Sequence, residues 1–315
     1  MTALPSKILL NGNKVPATTH AEMRQALGDL RDFIAAFLGE DSANAATLRS
    51  VLALPDPAAT GGGWVRGLFG KANAAAPTTK YDFTCLARAY RNPATGAVWA
   101  SRSTAVISAD AAVAGPAAGG RDQLAAFSSG FINLFFIVDD AGNERAVWSK
   151  NAPGLGPNPI SGFSSWVYGH TVYWDGSAIR RCVLSGCLNS YASPIGLGVV
   201  GNTSGGEVVF SGQSLWPAWA NRVAARCFSF LSANSGGGGT AVIDYRFISG
   251  YVGKAISVGV SSASETSYYN DDIDFPNLNQ QLIVSVALTT GAPNLSAIQS
   301  QVSVTSFTVP NGDVA

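Results

Sequence analysis

Two turn-centred patterns between Phe131 and Cys187 restrict this chain to a β framework more tightly than any other stretch. Phe131 to Val138 is an apolar, β-prone run. Asp139-Asp140-Ala141-Gly142-Asn143 supplies turn chemistry, and Arg145 to Ser149 resumes an extended pattern, so the three together read as a hairpin. Trp166 to Trp174 is a second aromatic, β-branched run. It leads into Asp175-Gly176, a pair favoured where both residues of a two-residue turn need positive φ. Ile179 to Val183 is then expected to return antiparallel. Nothing in this stretch is catalytic by residue type alone.

The same punctuation continues along the chain. Thirteen strands are expected, at 81–88, 98–108, 125–138, 144–149, 166–173, 179–184, 197–200, 207–211, 222–231, 240–249, 255–260, 281–288 and 301–309, with only short stretches of 109–123 inviting a helix. Strands at this spacing indicate a sandwich or a two-lobed β domain. Ahead of them, Thr19-His20-Ala21-Glu22 has the form of a capping box: the hydroxyl and the carboxylate satisfy two amides at a helix start. Met23, Leu27, Leu30, Ile34 and Phe37 follow at spacings of four and three, the rhythm of a helical seam. That seam is too short to be stable alone, so it packs either within the chain or on other copies. A second short helix is expected over 43–54, ended by Pro55 and Pro57. Residues 55–80 are Pro-, Gly- and Ala-rich and read as a linker, with Trp64, Val65, Leu68 and Phe69 as a small apolar patch inside it.

The expected fold class is therefore mainly β, with a short N-terminal helical anchor over 1–54, a linker over 55–80, and a β-sandwich-like body over 81–315 that divides into two lobes near 200. Charged residues make up only 13%, and Lys plus Arg equals Asp plus Glu at 20 each. With no basic surplus to neutralise phosphates, nucleic acid is excluded as a partner. A weakly charged surface suits neutral partners, and zero net charge does little to keep copies apart. Lys7 interrupts the apolar residues near the start, and no run approaches the length of a membrane span. Cytoplasmic synthesis without a signal peptide or membrane insertion is the expectation. Four cysteines are too few for a disulfide scaffold.

Residue types that carry chemistry are scarce. The two histidines are His20, at a helix start, and His170, in an aromatic strand; no G-x-S-x-G elbow accompanies them. Cys182 and Cys187 with His170 lack a second ligand pair for zinc, and read instead as buried small side chains or a local disulfide. Asp271-Asp272-Ile273-Asp274 lacks the spacing of an EF-hand and reads as a solvated loop rather than a calcium site. Asp139, Asp140, Glu144, Asp175, Asp244 and Glu265 could furnish a glycosidase pair, yet most sit in turns, where Asp serves the backbone. No catalytic residue, metal site or cofactor is assigned. The aromatics are the better lead. Trp166 and Tyr173 are read as core, whereas Trp174, Trp216, Tyr268 and Tyr269 border turns and are candidates to stack on a sugar or anchor a protein contact.

In Thr19 to Pro55, the residues Leu30, Arg31, Asp32, Ala35 and Gly39, then Asp41, Ala45, Arg49 and Leu52, form a pattern that resembles the helical N-terminal segments of tailed-bacteriophage tail-fibre proteins. In Ile132 to Arg180, a strand, a turn and a second strand precede Pro159-Ile160-Ser161-Gly162-Phe163 and a further hairpin, as in a β module of phage fibres. The match covers roughly a quarter of the chain; Gly201 to Ala315 matches only generic β-rich virion domains. The resemblance implies a virion structural protein that binds and does not catalyse. It would be a homotrimeric tail-fibre, tail-tip or spike subunit, attached to other virion proteins through residues 1–54. Its ligand would be a host surface glycan or an outer-membrane protein. The rivals are a virion-associated polysaccharide depolymerase and a head-fibre or capsid decoration protein.

Overall fold

The computed structural model describes residues 63–201, 207–233, 238–246, 254–262, 266–277, 280–290 and 295–310, all within the unit Gly61–Ala315. The helical expectations for 1–54, the seam residues Met23, Leu27, Leu30, Ile34 and Phe37 included, lie outside the described residues. Those described form eighteen strands and no helix.

Three antiparallel sheets account for the strands. Sheet A contains β1 (Trp64–Arg66), β4 (Ala87–Arg91), β5 (Val98–Ser101), β7 (Gly130–Asp139), β8 (Glu144–Ser149) and β9 (Phe163–Trp174). Its order is β1-β4-β9-β7-β8, and β5 also pairs with β4. Sheet B contains β2 (Phe69–Ala72), β3 (Lys80–Thr84), β6 (Ile107–Asp110), β10 (Cys182–Ser185), β11 (Leu188–Gly201), β13 (Arg222–Ala233), β16 (Thr266–Pro276) and β18 (Leu295–Thr308). It runs β16-β13-β18-β11-β10-β2-β3-β6. Sheet C contains β12 (Glu207–Ser211), β14 (Gly239–Arg246), β15 (Lys254–Val260) and β17 (Gln281–Thr290), in the order β12-β17-β14-β15.

Sheets A and C both pack on sheet B. Phe83 of β3 meets Phe136 of β7 and Trp148 of β8 edge-on, at centroid separations of 5.9 and 5.8 Å. Such pairs add to the gain from removing large rings from water. Toward the other end, the Tyr245 hydroxyl of β14 lies 3.1 Å from Ser229 Oγ and 2.7 Å from Ser300 Oγ, tying sheet C to β13 and β18. β11 and β18, each 14 residues long, span about 45 Å and reach both neighbours.

A single bulge lets β18 serve both sheets. Side chains alternate faces along a strand, so Ser300 and Phe307 would ordinarily point opposite ways. The ladder passes from Ala225↔Val304 to Ala224↔Ser306, leaving Thr305 unpaired on β13. That extra residue restores the parity: Ser300, Val302, Val304, Phe307 and Val309 are all buried. Phe307 then packs edge-on against Phe131 of β7 at 6.1 Å.

The β7–β8 hairpin forms as the sequence predicts. Val138 pairs with Glu144, Gly142 takes φ +86°, and Asp139 Oδ1 accepts the amides of Ala141 and Asn143. A buried ion pair holds β4 to it. Arg88, fully buried, donates from Nε to Glu144 Oε1 at 3.1 Å and from Nη2 to Oε2 at 2.9 Å, and the Tyr90 hydroxyl donates to Oε1 at 2.7 Å.

Other expectations are corrected. The Asp175-Gly176 turn is a four-residue loop: Trp174 bridges Ile179, Asp175 keeps a negative φ, and its Oδ1 accepts the amides of Ser177 and Ala178. The side chain closes the loop, so no type I′ turn is needed. The antiparallel return beside β9 lasts only for the Ile179 bridge and the Arg180 amide, which donates to Tyr173 O at 2.8 Å; the chain then crosses to sheet B as β10, and β9 pairs with β7. Residues 64–72, expected as linker, form β1 and β2, because Val65 and Leu68 find core to bury in. The helix considered within 109–123 is replaced by turns that bridge β6 to β8, where Gly119 N–H donates to Ala146 O and Trp148 N–H to Gly120 O.

Two predictions follow from this packing. Deleting Thr305 should turn Phe307 and Val309 out of the core and lower unfolding free energy in urea by about 3 kcal/mol or more, whereas Thr305→Ala should lower it by about 1 kcal/mol or less. Glu144→Ala strands the Arg88 charge and should lower it by about 3–5 kcal/mol; the double change Arg88→Met with Glu144→Leu should recover most of that.

Candidate functional site

The acids weighed for catalysis are held by structural partners instead. Asp139 and Asp175 accept loop amides, which hold both carboxyls below the usual range. Asp140 accepts from Ser164 Oγ, Glu144 meets Arg88, and Asp244 meets Arg246 Nη2 at 2.7 Å. Glu265 lies outside the described residues. Asp271, Asp272 and Asp274, expected in a loop, lie in β16, whose alternation separates them. Asp272 and Asp274 meet Arg226 and Arg222 at 3.1 and 2.7 Å, whereas Asp271 turns toward sheet C and meets Lys254 of β15 and the Tyr269 hydroxyl. A charged pair between two sheet edges guards them against further strand pairing. A cavity of about 170 Å³ beside it is lined by Tyr245, Lys254, Phe275 and Leu282, among others.

The cysteines are free thiols. Cys182 pairs across the ladder with Tyr191, not with Cys187, so the local disulfide is absent. Burial pushes the Cys182 thiol up to about 11 and Cys227 to about 12, which makes both inert side chains of the core.

His170 sits in a buried polar cluster around β9. Thr171 Oγ1 is fully satisfied: it donates to Asn133 Oδ1 at 2.5 Å and accepts from the Tyr168 hydroxyl at 2.6 Å and Trp219 Nε1 at 3.2 Å. Asn189 Nδ2 donates to Thr171 O at 2.9 Å, linking sheet B to this strand. The His170 ring accepts the Thr171 amide at Nδ1, 2.8 Å away, while Nε2 is buried without a hydrogen-bond partner. Desolvation holds its pKa down at about 4, and nearby backbone carbonyls offset only part of that. It is a neutral core residue.

The four aromatic candidates separate. Trp174 and Trp216 are buried, which removes both from any contact surface. Their indole N–H groups are spent internally, Trp174 on Phe127 O at 3.1 Å and Trp216 on Asn277 Oδ1 at 2.8 Å, and Trp216 lies edge-on to Phe275. Tyr269 is half-buried and faces Asp271. Tyr268, its neighbour on β16, points the other way and is 67% exposed.

Tyr268 belongs to a group on the outer face of sheet B, opposite sheet C. Its ring stacks on Phe228 of β13, with centroids 5.9 Å apart and planes at 28°, and lies 6.4 Å from Phe230. Register places Asn270 and Gln301 on either side of Phe228, and Gln299 beside Phe230. The nearest charges in this ladder, Arg226 and Asp272, neutralise each other. Phe228, Phe230, Asn270 and Gln301 were not among the residues singled out from sequence. Their signal was the alternation of β13, where the outward Arg222 and Arg226 share a parity with both phenylalanines.

Charging His170 is costly only in the folded state, so the unfolded chain binds the extra proton between about pH 6.5 and pH 4. Stability therefore falls as pH drops through that window, by about 3 kcal/mol from this group. Urea unfolding at pH 7 and pH 4 should show that loss in the parent chain and its absence in His170→Gln.

No family model matches the chain, and no curated protein matches it. Among solved structures, one described as "Structure of infectious bursal disease virus Gx strain" aligns over 81% of this chain and 69% of that chain, at 12% identity and a TM-score of 0.22. At that score the two backbones superpose too loosely to define a shared fold.

Proposed function

We propose that this chain is a virion structural protein, a tail-fibre, tail-tip or spike subunit of a tailed bacteriophage that attaches the particle to the host surface. In this reading residues 1–54 join it to other virion proteins, the assembly is a homotrimer, and the β body meets a glycan or an outer-membrane protein. Repetition of one weak contact across three copies would convert it into firm adhesion. The observation that supports it is the outer face of sheet B. There an aromatic cluster stands in the open on a rigid framework, while the acids and the histidine of the body are engaged in holding the fold. Rigid elements presenting unpartnered rings suit recognition better than turnover. The resemblance of 19–55 and 132–180 to phage fibre segments supports the same reading.

Fluorescently labelled protein should be retained on host cells, and gold-labelled antibody should mark it on the tail of intact particles. Lack of retention overturns the attachment role. Release of new reducing ends from host capsule or lipopolysaccharide replaces it with a depolymerase, and label confined to the head replaces it with a head-fibre or decoration protein.

A further inference from the structure

We propose that Tyr268, Phe228 and Phe230 form a stacking platform for a neutral saccharide, with Asn270, Gln301 and Gln299 as its hydrogen-bonding rim. The proposal rests on the attachment reading and assigns to it a site and a ligand class.

Phe230 faces Tyr268 across the β13–β16 ladder, and Phe228 faces Asn270; on the β18 side the same two phenylalanines face Gln299 and Gln301. The intervening residues Cys227, Ser229 and Leu231 are buried against sheet C, so the whole row points outward. Phe228 is 39% exposed although it is large and apolar. Its ring and that of Tyr268 are close to parallel, at 28°, and the second is exposed over most of its surface. The π face of an aromatic ring carries partial negative charge and attracts the polarised C–H groups of a pyranose face. Side-chain amides at the margin offer donors and acceptors together, which matches hydroxyls that do both.

Charge decides the class of ligand. A platform for an acidic sugar would need an unpaired cation, but the nearest arginines in the ladder, Arg226 and Arg222, are each paired with an aspartate. The Asp271 carboxylate and Lys254 face the other side, toward sheet C, and are likewise paired. The face is therefore polar, aromatic and electrically balanced, which complements a neutral hexose or N-acetylhexosamine chain. Extent argues in the same direction. A stable contact between protein copies needs about 800 Å² per partner with an apolar centre. Along the β13–β16 ladder the three rings give way to the Asn270 amide within one residue pair and to the Arg226–Asp272 ion pair within the next, and across β18 the face continues through Gln301 to Val199 of β11.

The test uses the full chain on an immobilised panel of neutral hexose and N-acetylhexosamine oligosaccharides, with sialylated and uronic-acid oligosaccharides as the anionic arm. At least one neutral oligosaccharide should be retained. Tyr268→Ala and Phe228→Ala should each weaken that binding about tenfold, and Tyr268→Phe should stay within about threefold, since the ring face carries the contact. Trp64→Ala, which alters an exposed ring on sheet A, should change nothing. Three results would overturn the proposal: retention of anionic oligosaccharides alone or of none, binding unchanged in both alanine variants, or a lower oligomer mass for Tyr268→Ala in light scattering, which would make this face a contact between copies. Host-cell retention separates the two readings. A parent chain that adheres to cells but ignores the neutral panel removes the saccharide platform and leaves attachment standing; failure to adhere removes attachment itself.

Discussion

The inward residues of β18 from Ser300 to Phe307 have to lie on one face, because the two other sheets pack against different lengths of that face. Strict alternation along the strand cannot deliver this over an odd separation. The unpaired Thr305 does, and without it either Phe307 would leave sheet A or Ser300 would leave Tyr245. The long sheet is thereby a shared wall. Its inner face is spent on packing, and only its outer face is left to meet anything else.

The buried polar groups fit the same logic. A large all-β body brings together strands distant in sequence, so hydrophobic contact alone leaves neighbouring registers close in energy. Thr171 with its three partners, Arg88 with Glu144, and Tyr245 with two serines each make hydrogen bonds that a shifted register would break. Each sits where two sheets or a strand and a hairpin meet. The chemistry suggested by their residue types, a histidine, acids and tyrosines, is absorbed by that task, whereas the rings on the outer face have no such task.

The Asp139–Asn143 hairpin was readable because turn chemistry and strand propensity lie within a few residues of each other. The Asp175 loop was not, since its side chain accepts the loop amides and spares the backbone the geometry the sequence pair suggested. Trp174 and Trp216 border turns, which favoured exposure, yet each indole finds an internal acceptor and an apolar neighbourhood. Phe228 and Phe230 of β13 were not singled out from the sequence. The interior at that point is filled by Tyr245 from sheet C, so small residues, Cys227 and Ser229, face in and the rings face out.

The sequence by itself determined the β class of this body, its low charge and the local hairpin of β7 and β8. These follow from propensity and turn chemistry acting over a few residues. Only the tertiary structure decided which strands share a sheet and which aromatics remain in solvent. Those outcomes depend on pairings across scores of residues and on the volume that a distant side chain such as Tyr245 occupies, and neither is encoded in any local pattern.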